Sequence, residues 1–263
     1  MAFDYVPLGE AMLTLTAVYV FFVIFVAGIL QTVTGFGFAL AAAPLLACAI
    51  NAKEVVVIVL IIGILMKGFI VYKTWGEGDF ARIMPLFAAS LLGALPGAYV
   101  LSVIDESTLK IVIGITLIAA TIAMSANVKF STAHHWLGKL AAGLLSGLLG
   151  ATTSLSGPPV VLYMMNEGTD KVTMRADLTR YFILGNTATV IMIYLMGGVV
   201  AQSIGIYALV SIPAIVLSWW LGERLFRAVN AVRFRYIALA VISVSALITL
   251  GSGLWPLVHK ASL

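Results

Sequence analysis

Ser154-Leu155-Ser156-Gly157-Pro158-Pro159 is the stretch on which the reading of this chain turns. It lies between two apolar runs, Lys139–Leu149 and Val160–Met165, and neither is long enough to cross a bilayer alone. Two successive prolines cannot continue a helix, because neither has an N–H to donate. They can open one: proline fits the first helical turn, and a serine before it is a favoured N-cap. The pattern predicts a helix that stops, a turn rich in hydroxyls, and a second helix that starts at membrane depth. Irregular backbone at that depth persists only where protein buries it or where it lines a cavity. The stretch is therefore the first candidate for a ligand site.

The rest of the chain supplies the membrane. Of 263 residues, 62% are hydrophobic and 10% are charged, against about 25% charged in a soluble domain. Long apolar runs between short charged loops predict an all-α integral membrane protein, with no segment left over for a soluble domain. The net charge of +4 does not point to nucleic acid, because the basic residues fall in loops, where membrane topology accounts for them. Cys48 is the single cysteine, which excludes a disulfide within the chain and any cysteine-based metal site. No metal or other cofactor is expected. The N-terminus has no basic n-region, so it does not read as a cleaved signal peptide.

In order, helices are expected over about Ala11–Val33, Phe38–Ile50, Val55–Tyr72, Ile83–Val103 and Leu109–Ser125. A polar connection with Lys129, His134 and His135 follows. The second half repeats the plan: Lys139–Leu149, Val160–Met165, Thr173–Met196, Ile204–Leu221 and a last helix ending near Leu250. Ala27-Gly28-Ile29-Leu30 matches Ala142-Gly143-Leu144-Leu145 at an offset of 115, which also puts Gly35 on Gly150 and Pro44 on Pro159. Gly97 aligns with Gly222, and Lys110 with Arg235, at an offset of 125. The expectation is two repeats of about five helical pieces, residues 1–126 and 139–263, joined by a cytoplasmic connection at 127–138. It gives 8–10 membrane segments, with two helix pairs broken near the midplane.

Charge sets the orientation. With the Arg224–Arg235 loop in the cytoplasm, the inside connections hold 12 of the 15 Lys and Arg residues, while Asp4, Glu10, Asp105 and Glu106 fall outside. Both termini are then periplasmic, and the two repeats are inverted, as in many secondary transporters.

Inversion sends the second and seventh helices in from opposite sides, so that their N-termini converge. Each offers unpaired backbone N–H groups and a partial positive charge. The break residues Gln31, Thr34, Gly35, Phe36 and Gly37 in one half, and Ser154, Ser156, Gly157 and Pro158 in the other, then form a neutral cradle. Such a cradle suits a small oxyanion held without a deep fixed cation. The competing account is that Gly, Ser and Thr merely let helices pack closely. Two depths are open for the first break: the midplane, or the cytoplasmic face if the first helix crosses fully.

Arg175, Asp177 and Arg180 open the eighth helix. Asp177 and Arg180, three apart, can pair. Arg180 is a candidate to touch the anion; Arg175, Asp177 and Asn186 are candidates for gating or coupling, with Asp177 able to carry a proton. The alternative is that they are the snorkelling cytoplasmic end of that helix. Lys67 reads as a snorkelling anchor, and His134 and His135 lack the partners that a metal or proton relay needs. The chain carries no HExxH, no G-x-S-x-G and no P-loop, so an enzyme is not expected. Without a nucleotide site, transport runs on an ion gradient or downhill.

Gln31-x-x-x-Gly-Phe-Gly-Phe with Pro44, Ser156-Gly-Pro-Pro-Val-Val-Leu-Tyr, and Arg175-Ala-x-Leu followed by Phe182 and Asn186 resemble the sulfite exporter TauE/SafE family, also called the toluene sulfonate uptake permeases. Where a common form of the first motif is Gly-x-Gly-Gly-Gly, this chain has Gly35-Phe-Gly37-Phe. The resemblance covers nearly the whole chain and implies movement of sulfite or sulfonates across the bacterial inner membrane. The expectation is a proton-coupled exporter of sulfite or a C2 organosulfonate such as sulfoacetate, working by alternating access. The alternatives are an anion channel, or an importer of another small sulfur anion such as thiosulfate. Expected partners are that anion, membrane lipid, a coupling proton and further copies of the chain.

Overall fold

The computed structural model of the chain describes residues 8–74, 76–126, 136–197, 203–228, 240, 243–244 and 246–255. Every regular element among them is helical: α1 Leu8–Thr34, α2 Phe38–Leu46, α3 Ala52–Lys73, α4 Phe80–Val103, α5 Glu106–Ser125, α6 Trp136–Thr153, α7 Gly157–Asn166, α8 Lys171–Leu195 and α9 Ser203–Ala228. A further apolar helix, α10, covers Ala246–Trp255. Residues 127–135, with the two histidines, lie outside the described residues, as do Trp75, Arg233, Arg235, Asp4 and Lys260.

Six of these helices are long and apolar enough to cross a membrane: α1, α3, α4, α5, α8 and α9. The protein is thus a multi-pass all-α membrane protein. Between the long helices sit two short ones, α2 of 9 residues and α7 of 10. Each rises only about 15 Å, half the ~30 Å hydrocarbon thickness. In the first half the short α2 lies between two such long helices, and in the second α7 lies between the 18-residue α6 and the long α8.

Some boundaries differ from expectation for local reasons. α6 runs on to Thr153 instead of stopping near Leu149. The hydroxyls of Thr152 and Thr153 donate to Leu148 O and Leu149 O at 2.6 and 2.8 Å. This back-bonding keeps two polar residues within the helix. α8 starts at Lys171, where Asp170 Oδ1 accepts from the amides of Val172 and Thr173 at 3.0 and 3.1 Å. The bonds from Thr173 hold the Asp170 carboxyl below its ordinary range. Asn51 caps α3 in the same way, accepting from Lys53 N at 3.0 Å.

The packing pairs long helices across the halves. α3 lies against α8, α1 against α9, and α4 against α6. Small residues set the last two seams. A Cβ on Gly147 of α6 would overlap the Ser90 carbonyl oxygen of α4, and one on Gly93 of α4 would overlap the Leu144 carbonyl oxygen of α6. Backbones this close gain van der Waals contact that larger side chains would forbid, and in lipid that contact drives helix association.

Matching features recur between the halves, 119 residues apart. The caps Asn51 and Asp170 are one such pair, and the ends of α1 and α6, Thr34 and Thr153, are another. The sequence match had suggested an offset of 115. The difference of four residues is close to one helical turn, so a slipped register keeps the same residues on the same face.

Candidate functional site

The first break follows α1. Gly35 adopts φ 85°, a left-handed conformation that glycine takes without strain. Around it the chain satisfies its own backbone. The Thr34 hydroxyl donates to Leu30 O at 2.7 Å and accepts from Gly37 N at 3.0 Å. The Gln31 amide bridges the gap, donating from Nε2 to Gly35 O at 2.7 Å and accepting from Phe38 N at 3.1 Å. These amides, expected to be free for an anion, are thus already occupied. Beyond them, the amides of Ala39 and Leu40 are accepted by no backbone carbonyl outside the helix among the described residues.

The second break repeats this geometry with different residues. Ser154 takes φ 62°, a conformation costly for anything but glycine. Thr153 Oγ1 donates to Leu149 O and accepts from Leu155 N, at 2.8 and 3.4 Å, as Thr34 does with Leu30 and Phe36 at 2.7 and 3.4 Å. Ser156 stands at the N-cap of α7 but makes no capping bond. The reason is covalent. An N-cap side chain accepts from the second or third helical amide, and here those residues are Pro158 and Pro159. The hydroxyl of Ser156 therefore has no described hydrogen-bond partner, while its carbonyl accepts from Ser146 Oγ at 2.6 Å. Of the first three amides of α7, only Gly157 has an N–H.

The two breaks meet. A Cβ on Gly157 would stand 3.7 Å from Phe36 O and 3.8 Å from the ring of Phe182. Where they meet, a cavity forms, bounded by Gln31 and Phe36, by Ser154, Ser156 and Gly157, and by α3 and α8. It touches α3 at Val59, Leu60 and Lys67, and α8 at Phe182 and Asn186, close to the middle of both helices. α1, at 27 residues, is long enough to cross by itself; its Gly28 stands beside Met66 of α3, and Gly35, just past its end, packs against Arg175 near the start of α8. The cavity measures about 20 Å³, room for roughly one water.

Lys67 is the residue that sequence reasoning misplaced. It does not snorkel. It is 4% exposed, its Nζ donates to Gly63 O at 3.1 Å and lies 5.1 Å from the centre of the Phe182 ring, and no ion pair is recorded for it among the described residues. Facing it is Asn186, 7% exposed, whose amide has no described hydrogen bond. A Cβ on Gly63 would stand 3.3 Å from both Lys67 Nζ and Asn186 Nδ2. The two positions are 119 residues apart, the same spacing as the breaks and the caps. The signal available in sequence was the depth of Lys67, six residues short of the end of α3; ionisable residues inside a span mark functional sites by default.

The charged start of α8 lies elsewhere. Asp177, with a fully buried side chain, accepts from Asp79 N at 2.7 Å and from Arg82 Nη1 at 3.0 Å. Arg180 donates from Nη2 to Thr74 O at 2.7 Å and packs over Phe80. Arg175 and Lys73 both reach Glu223 of α9, at 3.5 and 3.4 Å. Instead of the expected pairing along the helix, Asp177 grips the connection between α3 and α4 and fastens it over α8. Arg180 precedes Asn186 by six residues, about 9 Å of helical rise. This latch therefore lies beyond the cavity, at the end of α8 that meets the connection between α3 and α4.

Of the sequence candidates, Gln31, Phe36, Ser154, Ser156, Gly157 and Asn186 border the cavity. Thr34 and Gly37 serve the turn, Gly35 packs against Arg175, and Pro158 lies within the start of α7. Arg175, Asp177 and Arg180 belong to the latch. Gln31 acts as a staple, and Gln31→Met, which keeps its length, would strand one buried N–H and one buried C=O. The expected loss is about 2 kcal/mol, read as a lower unfolding midpoint in detergent.

A family model described as Sulfite exporter TauE/SafE matches residues 20–249. No curated protein and no solved structure matches.

Proposed function

The chain belongs to the sulfite exporter TauE/SafE family of membrane transporters, and we propose that it carries a small sulfur oxyanion through the cavity between its two helix breaks. The observation that carries this reading is the direct contact of the breaks, Phe36 against Gly157, at the mid-length of α3 and α8. Two helix N-termini there aim partial positive charge at one small cavity. The Ser156 hydroxyl, spared from capping by the proline pair, is a free donor to an oxyanion oxygen.

In this reading the substrate is sulfite or a C2 organosulfonate, and transport is proton-coupled export across the bacterial inner membrane by alternating access. The matched features 119 residues apart, and the exchange of the α1–α9 and α4–α6 pairings between halves, support an inverted repeat with both termini periplasmic. A cavity with room for roughly one water supports a carrier that must reshape to load over an open pore. Asp177 is the group placed to carry the coupling proton: protonation would weaken its hold on Arg82 and free the connection above it.

The test is uptake in proteoliposomes with a panel of sulfite, sulfoacetate, isethionate, taurine, thiosulfate and sulfate. Saturable flux of one or more sulfur anions is expected. Ser156→Ala is expected to weaken binding about tenfold, the worth of one hydrogen bond to a charged group. Flux that never saturates would instead indicate a channel, and unchanged binding in the Ser156 variant would move the site elsewhere.

A further inference from the structure

We propose that Lys67 and Asn186 act as a charge-counting pair, which makes the site selective for one negative charge. This rests on the cavity being the anion site. Lys67 is the only charged residue among the described side chains that border the cavity. Its side chain is almost wholly buried, and its Nζ donates to a neutral carbonyl, Gly63 O. An isolated ammonium inside a protein costs several kcal/mol unless an opposite charge joins it. Its counterpart in the second half, 119 residues on, is the neutral amide of Asn186, and both stand beside Gly63.

The two positions thus supply one full charge and one dipole. The remaining groups are also neutral: the Ser156 hydroxyl, the Ser154 turn and the sparse amides of the two breaks. A monoanionic head, such as R–SO₃⁻ or hydrogen sulfite, brings the site to neutrality. A dianion, such as sulfate, thiosulfate or sulfoacetate, leaves one unit of charge buried without a partner, so among C2 organosulfonates the charge count favours isethionate over sulfoacetate. The nearest other cations on the bordering helices, Lys73 and Arg180, are held by Glu223 and Thr74 in the latch.

The experiment measures binding of methanesulfonate, a monoanion, and of sulfate, a dianion, to the full-length protein in detergent by titration calorimetry. Wild type is expected to prefer methanesulfonate. Lys67→Asn should weaken methanesulfonate by about thirtyfold or more, the cost of removing one partner of a buried charge pair. Asn186→Lys should improve sulfate relative to methanesulfonate. The double variant Lys67→Asn/Asn186→Lys, which moves the single charge to the matching position, should recover methanesulfonate binding. A structural role for Lys67 would give no such recovery. Equal affinity for both anions in wild type overturns the inference, as does a Lys67→Asn protein that binds like wild type, or the absence of any anion binding. Nitrate and formate separate the two readings: Lys67-dependent binding of these monoanions without any sulfur anion keeps the charge count and overturns the sulfur substrate. Sulfur-anion binding indifferent to Lys67 does the reverse.

Discussion

Asp177→Ala is expected to lower stability by about 3 kcal/mol and to release the connection between α3 and α4. The Asp177 side chain is fully buried and accepts two hydrogen bonds, from the Asp79 amide at 2.7 Å and from Arg82 at 3.0 Å. Removing one partner of a buried pair typically costs about 3–5 kcal/mol. The lower end applies because Arg82 is 29% exposed and can recover some hydration. Asp177→Asn is expected to fall between wild type and alanine, since its carbonyl can still accept from Asp79 while the ion pair is lost. The order of unfolding midpoints in detergent checks this. An alanine variant as stable as wild type would mean that the latch holds nothing. Cysteine labelling at Gly78→Cys gives a second readout only after allowance for its own strain, because a side chain there collides with Arg180.

Gly147→Val should do more damage still, at least about 3 kcal/mol, the upper end of ordinary overpacking. A side chain at Gly147 meets the Ser90 carbonyl, which is backbone and cannot swing aside as the tip of a side chain would. α4 and α6 would have to separate, and with them the Ser146 hydroxyl that bonds Ser156 O and receives the Tyr181 hydroxyl. The same variant should therefore disturb the second break. The measurement is the monodisperse fraction after extraction together with the unfolding midpoint. Gly68→Ala is the control: nothing stands within 4 Å of that position, so it should be neutral or stabilising by up to about 1 kcal/mol. A valine at 147 that behaves like an alanine at 68 would show the seam to be loose.

Much of the membrane architecture was legible because it depends on short-range properties. A run of apolar residues has a length, and length decides whether it spans. The proline pair ends and starts helices whatever surrounds it. Both breaks therefore fall within the expected stretches, at 35–37 and 154–156, while α2 ends at Leu46 instead of Ile50 and α7 starts at Gly157 instead of Val160, taking the proline pair into its first turn. What each side chain does there was less legible. Thr34 and Gln31 looked like ligands, yet their polar atoms are taken by the turn itself. Ser156 looked like a cap, yet the prolines after it have no amide to give.

Sequence by itself determined that this chain lies in the membrane, that two of its helices stop short, and which family it belongs to. Composition, proline chemistry and a linear motif are properties of neighbouring residues. Only the tertiary structure decided which charge is central. In sequence Arg180 and Lys67 are both basic residues near predicted helix ends. Packing sends Arg180 outward to Thr74 O in the latch and buries Lys67 beside Asn186 at the meeting of the breaks. That choice depends on α3 lying against α8 at one particular height. Contacts between residues more than a hundred positions apart set that height, and no local pattern records it.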